Sequence, residues 1–573
     1  MRRIILSLFF ILLAASFYAQ ENLDYQLPPE EILELVDAPL APRILMDRNA
    51  ENLLMVYTNK YKTIEELSEN EMRLGGLRIN PVTNIGSRTR FYNNIEIKTL
   101  SGNEIRKVEG LPDNPRMSGF SWSPDQKNVA FLNTTSTGVE LWVLNIENAT
   151  AIKLTEPKVN ANMWGTMSWF PDNSAILVKI IPVDRKELID TEEAIPVGPV
   201  VSISEGEKAQ NRTYQDLLKD PNDEFNFEQL SLSELYKVSL DGEKSLWLPS
   251  AMYTGASFSP DGEYVMVSRI KKPFSYLVPY YRFPTETVIY DKNANKIQLI
   301  NDVPLTEVIP QGFDATRTGR RNVSWRADKP ATVYWAEALD EGDPANETEY
   351  RDAVYQLEAP FNGDPELILK TKNRYRGILW GNDDVAVAYD MWWKNRNTKA
   401  YLFNPSNPEK EPAIIFDRST QDRYNDPGNF VTKPNEYNEY VLEIIKNKAF
   451  LIGDGYSERG QFPFIDEFDL KSHNTKRLYE SSYTDKLENI YYAIDMKKGE
   501  VLVRIESRNE YPNYYIRNIR KKIGLIPVTN FENPFKSIQD VHKEVITYKR
   551  EDGLELDATL YLPVGYDMEK KEK

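Results

Sequence analysis

Apolar and polar positions recur along this chain in one repeated arrangement. In the stretch 119–133, an aromatic residue precedes Ser-Pro-Asp, a polar turn follows, and a run of apolar residues ends at Asn133. Pro124 restricts φ and Asp125 caps the turn, so the pattern predicts a strand that begins directly after it. A single hairpin of this kind cannot bury its apolar faces in water, so we expect the unit to be repeated.

The same arrangement returns along the chain, and a second strand pair follows each copy. Clear copies lie at 167–179, 256–268 and 323–336, and looser copies lie at 44–58, 377–390 and 491–505. Two strand pairs per unit, repeated in series, predict an all-β fold, a β-propeller with seven or eight four-stranded blades. We count eight repeat units, of which 440–479 is the weakest.

Two insertions are longer than a blade turn needs, and both ends of the chain depart from the repeat. The insertions lie at 60–94 and 182–228, and within the second only 214–219 has helical spacing. Residues 28–37 predict a short helix with acids in its first turn. Near the C-terminus, two alternating strands are joined by Asp552-Gly553, which is a strong hairpin pattern.

These changes divide the chain into four predicted segments. They are a signal peptide at 1–19, an N-terminal extension with a short helix at 20–43, the β-propeller at 44–533, and a linker with the truncated start of a further domain at 534–573. The first segment has two arginines before an apolar run too short to span a bilayer, with cleavage after Ser16 as the alternative to cleavage after Ala19. We therefore expect a periplasmic or secreted protein that does not interact with the membrane once the signal peptide is removed.

The composition of the chain argues against several classes of function. The 573 residues are 41% hydrophobic and carry a formal charge of −17, with no cysteine and two histidines. This is the composition of a folded protein, and its acidic balance argues against nucleic-acid binding, which needs a basic face. Zinc prefers Cys and His ligands, and no phosphate-binding loop occurs, so we expect neither a metal nor another cofactor.

Eight short motifs, in a fixed order, carry a resemblance to a known family. They are GGLRINP (75–81), RTYQDLL (212–218), PFSYLVP (273–279), RFP (282–284), EALDEGDP (337–344), RDAVY (351–355), GDGYSERGQFPF (453–464) and ITYKREDGLELDATLYLPVGYD (546–567). The chain thereby resembles the secreted, glutamyl-endopeptidase-like branch of the prolyl oligopeptidase family of serine peptidases. The resemblance implies a propeller that restricts access to a peptide substrate, followed by an α/β-hydrolase domain whose first β-hairpin is the C-terminal hairpin of this chain.

The catalytic residues of such a peptidase are not found in the sequence. The family places its serine on a Gly-x-Ser-x-Gly turn, with Asp and His following. No such motif occurs, and the near misses around Ser257 and Ser457 fall inside repeat units. His473 and His542 are interpreted as a turn residue and a linker residue. We therefore assign no catalytic residue, and we expect a chain truncated before the triad and inactive by itself.

One group of residues is a candidate for substrate binding. If the complete enzyme cleaves after glutamate, as the resemblance implies, a basic group should meet that carboxylate, and arginine is the preferred donor. The candidates are Arg282, Arg317, Arg320 and Arg321. Salt bridges between blades are the competing interpretation of these arginines.

Two other functions remain open at this point. A stand-alone periplasmic β-propeller that binds a peptide or protein partner would have the same repeats, although an unpaired hairpin edge argues against it. A glycan-active propeller would need paired carboxylates, and nothing in the sequence marks a pair. The oligomeric state is not determined by the sequence.

Overall fold

The computed structural model describes residues 26–190, 198, 213–521 and 523–566. The chain divides into two compact units. We call Ala41–Phe531 the ring unit, and the terminal unit combines residues 1–40 with 532–573. The predicted signal peptide at 1–19 lies outside the described residues.

Antiparallel units of four strands follow one another along the ring unit. The first contains β1 (Arg43–Met46), β2 (Asn52–Tyr57), an inserted hairpin of β3 (Met72–Leu74) and β4 (Leu77–Ile79), β5 (Asn94–Thr99) and β6 (Ile105–Lys107). The second contains β7 (Met117–Trp122), β8 (Asn128–Thr134), β9 (Val139–Asn145) and β10 (Thr150–Lys153).

The third and fourth units share one seven-stranded sheet. Its strands are β11 (Met167–Trp169), β12 (Ala175–Ile180), β13 (Ser233–Ser239), β14 (Lys244–Phe258), β15 (Tyr264–Ile270), β16 (Thr285–Asp291) and β17 (Lys296–Val303). The long strand β14 is the fourth strand of one unit and the first strand of the next, so the two units are joined without a connecting loop.

The remaining four units complete the series. The fifth contains β18 (Arg321–Trp325), β19 (Thr332–Ala338), β20 (Asp352–Glu358) and β21 (Glu366–Thr371), and the sixth contains β22 (Arg374–Asn382), β23 (Val385–Trp392), β24 (Asn397–Phe403) and β25 (Ala413–Ser419). The seventh contains β26 (Asn429–Phe430), a hairpin of β27 (Thr432–Pro434) and β28 (Tyr440–Leu442), β29 (Lys448–Gly453), a hairpin of β30 (Tyr456–Ser457) and β31 (Gly460–Gln461), β32 (Phe464–Asp469) and β33 (Thr475–Glu480). The eighth contains β34 (Leu487–Asp495), β35 (Glu500–Glu506), β36 (Asn513–Asn518) and β37 (Ile526–Pro527).

The repeated Ser-Pro-Asp sequence forms a repeated turn. Ser123 Oγ donates to Asp125 at 2.6 Å and accepts from the N–H of Asn128 at 2.9 Å. Ser259 repeats both bonds, donating to Asp261 at 2.6 Å and accepting from the N–H of Tyr264 at 3.0 Å. In both copies the serine and aspartate hold the start of the next strand, which confirms the predicted turn.

Apolar clusters between neighbouring sheets close the series into a ring. Val143 with Trp169, for example, joins the second unit to the third, and Val387 with Phe430 joins the sixth to the seventh. The last cluster contains Leu53 of the first unit with Leu502 and Tyr514 of the eighth. Among the described residues, no strand of the first unit pairs with a strand of the eighth. The ring is therefore sealed at this seam by side-chain packing.

The long insertions lie on one edge of the sheets. Antiparallel strands reverse direction at each turn, so the connection from the second to the third strand and the connection to the next unit leave the same edge. The long connections 58–93, 181–232, 271–284 and 304–320 are all of this kind. In the described part of the ring unit, this edge therefore carries the long connections, and binding sites concentrate on such connecting segments.

The terminal unit contains helix α1 (Glu30–Val36) and the hairpin of β38 (His542–Lys549) and β39 (Glu555–Leu562). Pairing runs from His542 with Leu562 to Lys549 with Glu555. The turn contains Gly553 with a φ of +85°, which the predicted Asp-Gly pair provides. The predicted helix over 28–37 and the predicted hairpin are both present.

The structure confirms a predominantly β chain and contains helices that the sequence pattern did not predict. Residues 214–219 form no helix, and the adjacent Pro221–Ser231 forms α3 instead; α2 (Ile64–Ser68) lies in the earlier insertion. Helix α3 begins there because Asp220 accepts bonds from the N–H groups of Asn222 and Asp223, both at 2.9 Å, and proline occupies the first helical position.

Candidate functional site

The insertions pack around a shared apolar centre. Phe227 of α3 is fully buried and makes edge contacts with Phe274 and Phe283, whose ring centroids lie 5.1 and 5.5 Å away. Gly75 faces the same ring so closely that a Cβ there would lie 3.3 Å from Phe227. Residues of four motifs quoted above therefore meet in one place: 75–81, the described part 213–218 of the second motif, 273–279 and 282–284.

A cavity of about 430 Å³ lies beside this centre. It forms where the connections 281–285, 303–309 and 315–322 of the fourth and fifth units meet, and three of the four candidate arginines line it: Arg282, Arg317 and Arg321. We call it the arginine cavity.

The positive charge in the arginine cavity is only partly compensated. Arg321 lies 2.6 Å from the Asp352 carboxylate. Arg317 donates to the carbonyls of Thr318 and Arg320, and among the described residues neither Arg317 nor Arg282 pairs with a carboxylate. Burial, and secondarily the charge of Arg321, lowers the pKa of Arg317 to about 10. Arg317 is therefore still protonated at neutral pH.

Arg282 also has spare hydrogen-bonding capacity. Its guanidinium lies over the ring of Tyr214, 5.3 Å from the centroid, and its buried Nη1 has no hydrogen-bond partner among the described residues. A buried donor without a partner costs roughly 1–3 kcal/mol, which an anionic ligand could recover.

A buried ionic network holds Arg321 in place. Arg374 makes a bidentate bond to Asp340 at 2.8 and 2.7 Å and a further bond to Asp352 at 3.1 Å. Asp352 also accepts from the N–H of Tyr375 at 2.8 Å, and its side chain is fully buried. Because each carboxylate has several partners, Asp352 and Arg321 have defined positions at the cavity wall.

Arg320, the fourth candidate, lies outside the arginine cavity. Its guanidinium stacks over the buried Trp335, 4.1 Å from the ring centroid, and donates to the carbonyl of Ile300 at 2.6 Å. The structure therefore brings three of the four candidates together and gives Arg320 a packing position.

A second cavity, of about 980 Å³, adjoins the first. We call it the aromatic cavity, because Trp164, Tyr214 and Tyr281 contribute to its lining. Trp164 is 79% exposed and Tyr281 is 64% exposed. Tyr281 lines both cavities, so the two share a wall.

Residues around Trp164 were not found from the sequence. Lys179 is fully buried on β12 and donates to the carbonyls of Met163 and Trp164, both at 3.1 Å. Gly165 has a φ of +65°, and a Cβ there would lie 2.6 Å from the Cα of Gly255. Two sequence features could have indicated this region. One is the Trp-Gly pair in a long connection, and the other is a lysine inside an otherwise apolar strand.

The histidines and serines considered as catalytic candidates occupy structural positions. His473 occupies a turn and stacks on Phe468, and His542 lies 3.2 Å from Glu544 within β38. Ser257 lies in β14 and Ser457 in β30, neither on a strand-to-helix turn. Within the described ranges, no group of three or more His, Cys, Asp or Glu could hold a metal ion, and no helix is long and apolar enough to cross a membrane.

Comparison with known proteins identifies two similar sequences. The chain is 33% identical over 571 residues to the probable chloroplastic glutamyl endopeptidase of Oryza sativa subsp. japonica, and 34% identical over 576 residues to that of Arabidopsis thaliana. Each match covers 95% of this chain, and 61% and 59% of the respective relative. The chain thus spans about three-fifths of the length of these relatives. No family profile matches.

Solved structures show more distant similarity. Porphyromonas gingivalis dipeptidyl peptidase 4 matches at a TM-score of 0.46 and 11% identity, covering 95% of this chain and 68% of that one. Pyrococcus horikoshii acylaminoacyl peptidase matches at a TM-score of 0.40 and 13% identity, covering 92% and 59%. Across 95% of its length, the chain is therefore similar to proteins named probable glutamyl endopeptidases, which supports the peptidase resemblance drawn from its motifs.

Proposed function

We propose that this chain is the propeller part of a serine peptidase of the prolyl oligopeptidase family, and that its arginine cavity holds an acidic side chain of the peptide substrate. The observation that carries the second statement is the convergence of Arg282, Arg317 and Arg321 on one cavity, with two of the three lacking a carboxylate partner among the described residues. The similarity to probable glutamyl endopeptidases supports the first statement.

In this proposal the eight units of the ring are eight blades, and the hairpin β38–β39 is the first hairpin of an α/β-hydrolase domain. The hydrolysis itself belongs to that hydrolase domain, through a serine that attacks the peptide carbonyl while a histidine accepts its proton. The residues of this chain bind and orient the substrate. The leader at 1–19 would direct the protein to the periplasm or the exterior, which N-terminal sequencing of the exported protein would test.

The arginine cavity suits a carboxylate for electrostatic and geometric reasons. A guanidinium presents two parallel donors that match the two oxygens of a carboxylate, and such charge-assisted bonds are about twice as strong as neutral ones. Arg317 is largely buried, so solvent screens its charge little. Asp352 holds Arg321 but compensates only one of the three cations.

Binding of matched peptides to the purified chain tests this assignment. Fluorescein-labelled hexapeptides that differ only in one residue, Glu or Gln, are titrated and followed by anisotropy. We expect the Glu peptide to bind about 10- to 100-fold more tightly, because a charge-assisted bond contributes roughly 1.5–3 kcal/mol. Arg317→Gln and Arg282→Gln should each reduce this ratio, whereas Arg423→Gln, an exposed arginine outside the cavity, should leave it unchanged.

Two results would contradict the proposal. Equal binding of the Glu and Gln peptides by the unmodified chain would show that the cavity does not recognise a carboxylate. Hydrolysis of the Glu peptide by the purified chain, blocked by a serine-directed inhibitor, would show that catalytic residues lie within it. Peptide binding without any peptidase activity in a longer gene product would favour the alternative, a stand-alone binding propeller.

A further inference from the structure

Two large aromatic side chains are exposed on the wall of the aromatic cavity. Trp164 and Tyr281 leave 79% and 64% of their surface in contact with solvent. Aromatic rings are costly to leave in water and are enriched where proteins bind peptides, because they supply a large contact area with few rotatable bonds. Their position on one cavity distinguishes them from isolated surface aromatics.

Buried hydrogen bonds and apolar packing hold the backbone that carries Trp164. Its carbonyl and that of Met163 accept bonds from the fully buried Lys179, and the Met163 side chain is buried in the apolar centre around Phe227. An aromatic wall ordered before binding pays little conformational entropy when a ligand arrives.

The two cavities are adjacent. Tyr281 lines both, and Tyr214 lines the aromatic cavity while lying under the guanidinium of Arg282. In an extended peptide, successive residues rise by about 3.3 Å and their side chains alternate in direction. Side chains two positions apart therefore point the same way and lie about 6.6 Å apart along the peptide. A peptide with one side chain in the arginine cavity thus brings the side chain two positions away to the aromatic cavity.

We propose that the aromatic cavity is a second substrate subsite, which takes a large apolar side chain close in sequence to the acidic residue held by the arginine cavity. This inference rests on the proposed function and narrows its substrate class. The exposed rings of Trp164 and Tyr281 favour an apolar occupant, and Arg78 in the same lining is already compensated by Asp216 at 2.6 Å. Arg88 also lines the aromatic cavity, and its positive charge is compatible with a peptide that carries an acidic residue.

Two sets of four matched peptides separate the two subsites. Each set combines Glu or Gln at one position with Phe or Ala two positions away, before the Glu or Gln in one set and after it in the other. We expect Phe to improve binding to the unmodified chain about 10-fold over Ala in at least one of the two placements, with Glu and with Gln alike. Trp164→Ala should abolish this gain and leave the Glu-to-Gln ratio intact, because Trp164 lines only the aromatic cavity. Tyr281→Ala should also abolish the gain from Phe, and because its ring lines both cavities it is scored on that gain alone.

Control variants make the assignment specific. Arg317→Gln should remove the Glu-to-Gln ratio and leave the gain from Phe, so failure of the carboxylate site is distinguishable from failure of the aromatic subsite. Tyr424→Ala removes a tyrosine of similar exposure, 62%, that lines neither cavity, and should change no ratio. Trp164→Phe should restore most of the gain.

Two outcomes would overturn the inference. The first is equal binding of the Phe and Ala peptides in both placements. The second is a gain from Phe that survives in both Trp164→Ala and Tyr281→Ala. If either variant alters folding, as its thermal unfolding temperature would show, the other variant and Trp164→Phe decide the result.

Discussion

Replacing Lys179 by methionine is expected to remove a pH dependence of stability from this protein. The ammonium group is fully buried and, within the described part of the chain, has no carboxylate partner; its bonds go to the carbonyls of Met163 and Trp164 at 3.1 Å. Burial lowers its pKa from 10.5 to about 7. Methionine matches the length and apolar stem of lysine without the charge.

The sign and size of the effect follow from proton linkage. Between pH 7 and pH 10.5 the unfolded chain binds a proton at Lys179 that the folded chain has released, so stability rises with pH through this window. With the folded pKa at about 7, the free energy of unfolding gains about 2 kcal/mol between pH 7 and pH 9. At pH 7 the burial of Lys179 costs about 4 kcal/mol, which is similar to the cost of leaving two buried carbonyls without donors.

Lys179→Met should therefore be close to the unmodified chain in stability at pH 7 and less stable by about 2 kcal/mol at pH 9. Urea denaturation of both proteins at pH 7, 8 and 9, followed by tryptophan fluorescence, measures this difference. Lys127→Met, which removes an exposed lysine, serves as the control for other titrating groups. Parallel stability curves for the unmodified chain and Lys179→Met would refute the reasoning.

The ionic network and the ring seam give two further predictions. Asp352→Asn leaves Arg321 and Arg374 facing a neutral amide, so it should lower the free energy of unfolding by about 3–5 kcal/mol in urea denaturation; a loss below 1 kcal/mol would show that the network is not buried from solvent. Leu502→Ala at the seam should cost about 2–5 kcal/mol, the same range as Leu141→Ala between the second and third units, because both leucines are fully buried. An unchanged urea midpoint for Leu502→Ala alone would show that this cluster does not seal the ring.

Most of the strand pattern could be predicted because it depends on neighbours in sequence. The Ser-Pro-Asp turns, the apolar runs that follow them and the hairpin around Gly553 are all set by local bonds and by residue type. Helix α3 was not predicted: the segment with helical spacing is 214–219, whereas the capping Asp220 and Pro221 start the helix just after it. Capping outweighed periodicity in this segment.

The candidate site was predicted only in part. The arginines were selected by residue type, and the sequence offered no way to distinguish Arg320, which packs on Trp335, from Arg317, which lines the cavity. Trp164 and Lys179 were missed because each is ordinary in its local sequence and becomes informative only through exposure or burial.

The sequence by itself determined the class of structure: repeated antiparallel units, a short N-terminal helix, a C-terminal hairpin and an ordered set of motifs similar to those of glutamyl endopeptidases. Only the tertiary structure decided which connections meet. The arginine cavity joins chain from the fourth and fifth units, and the ring seam joins Leu53 to Leu502. Such contacts depend on how whole sheets pack, and this packing determines the burial, charge compensation and neighbours of each side chain.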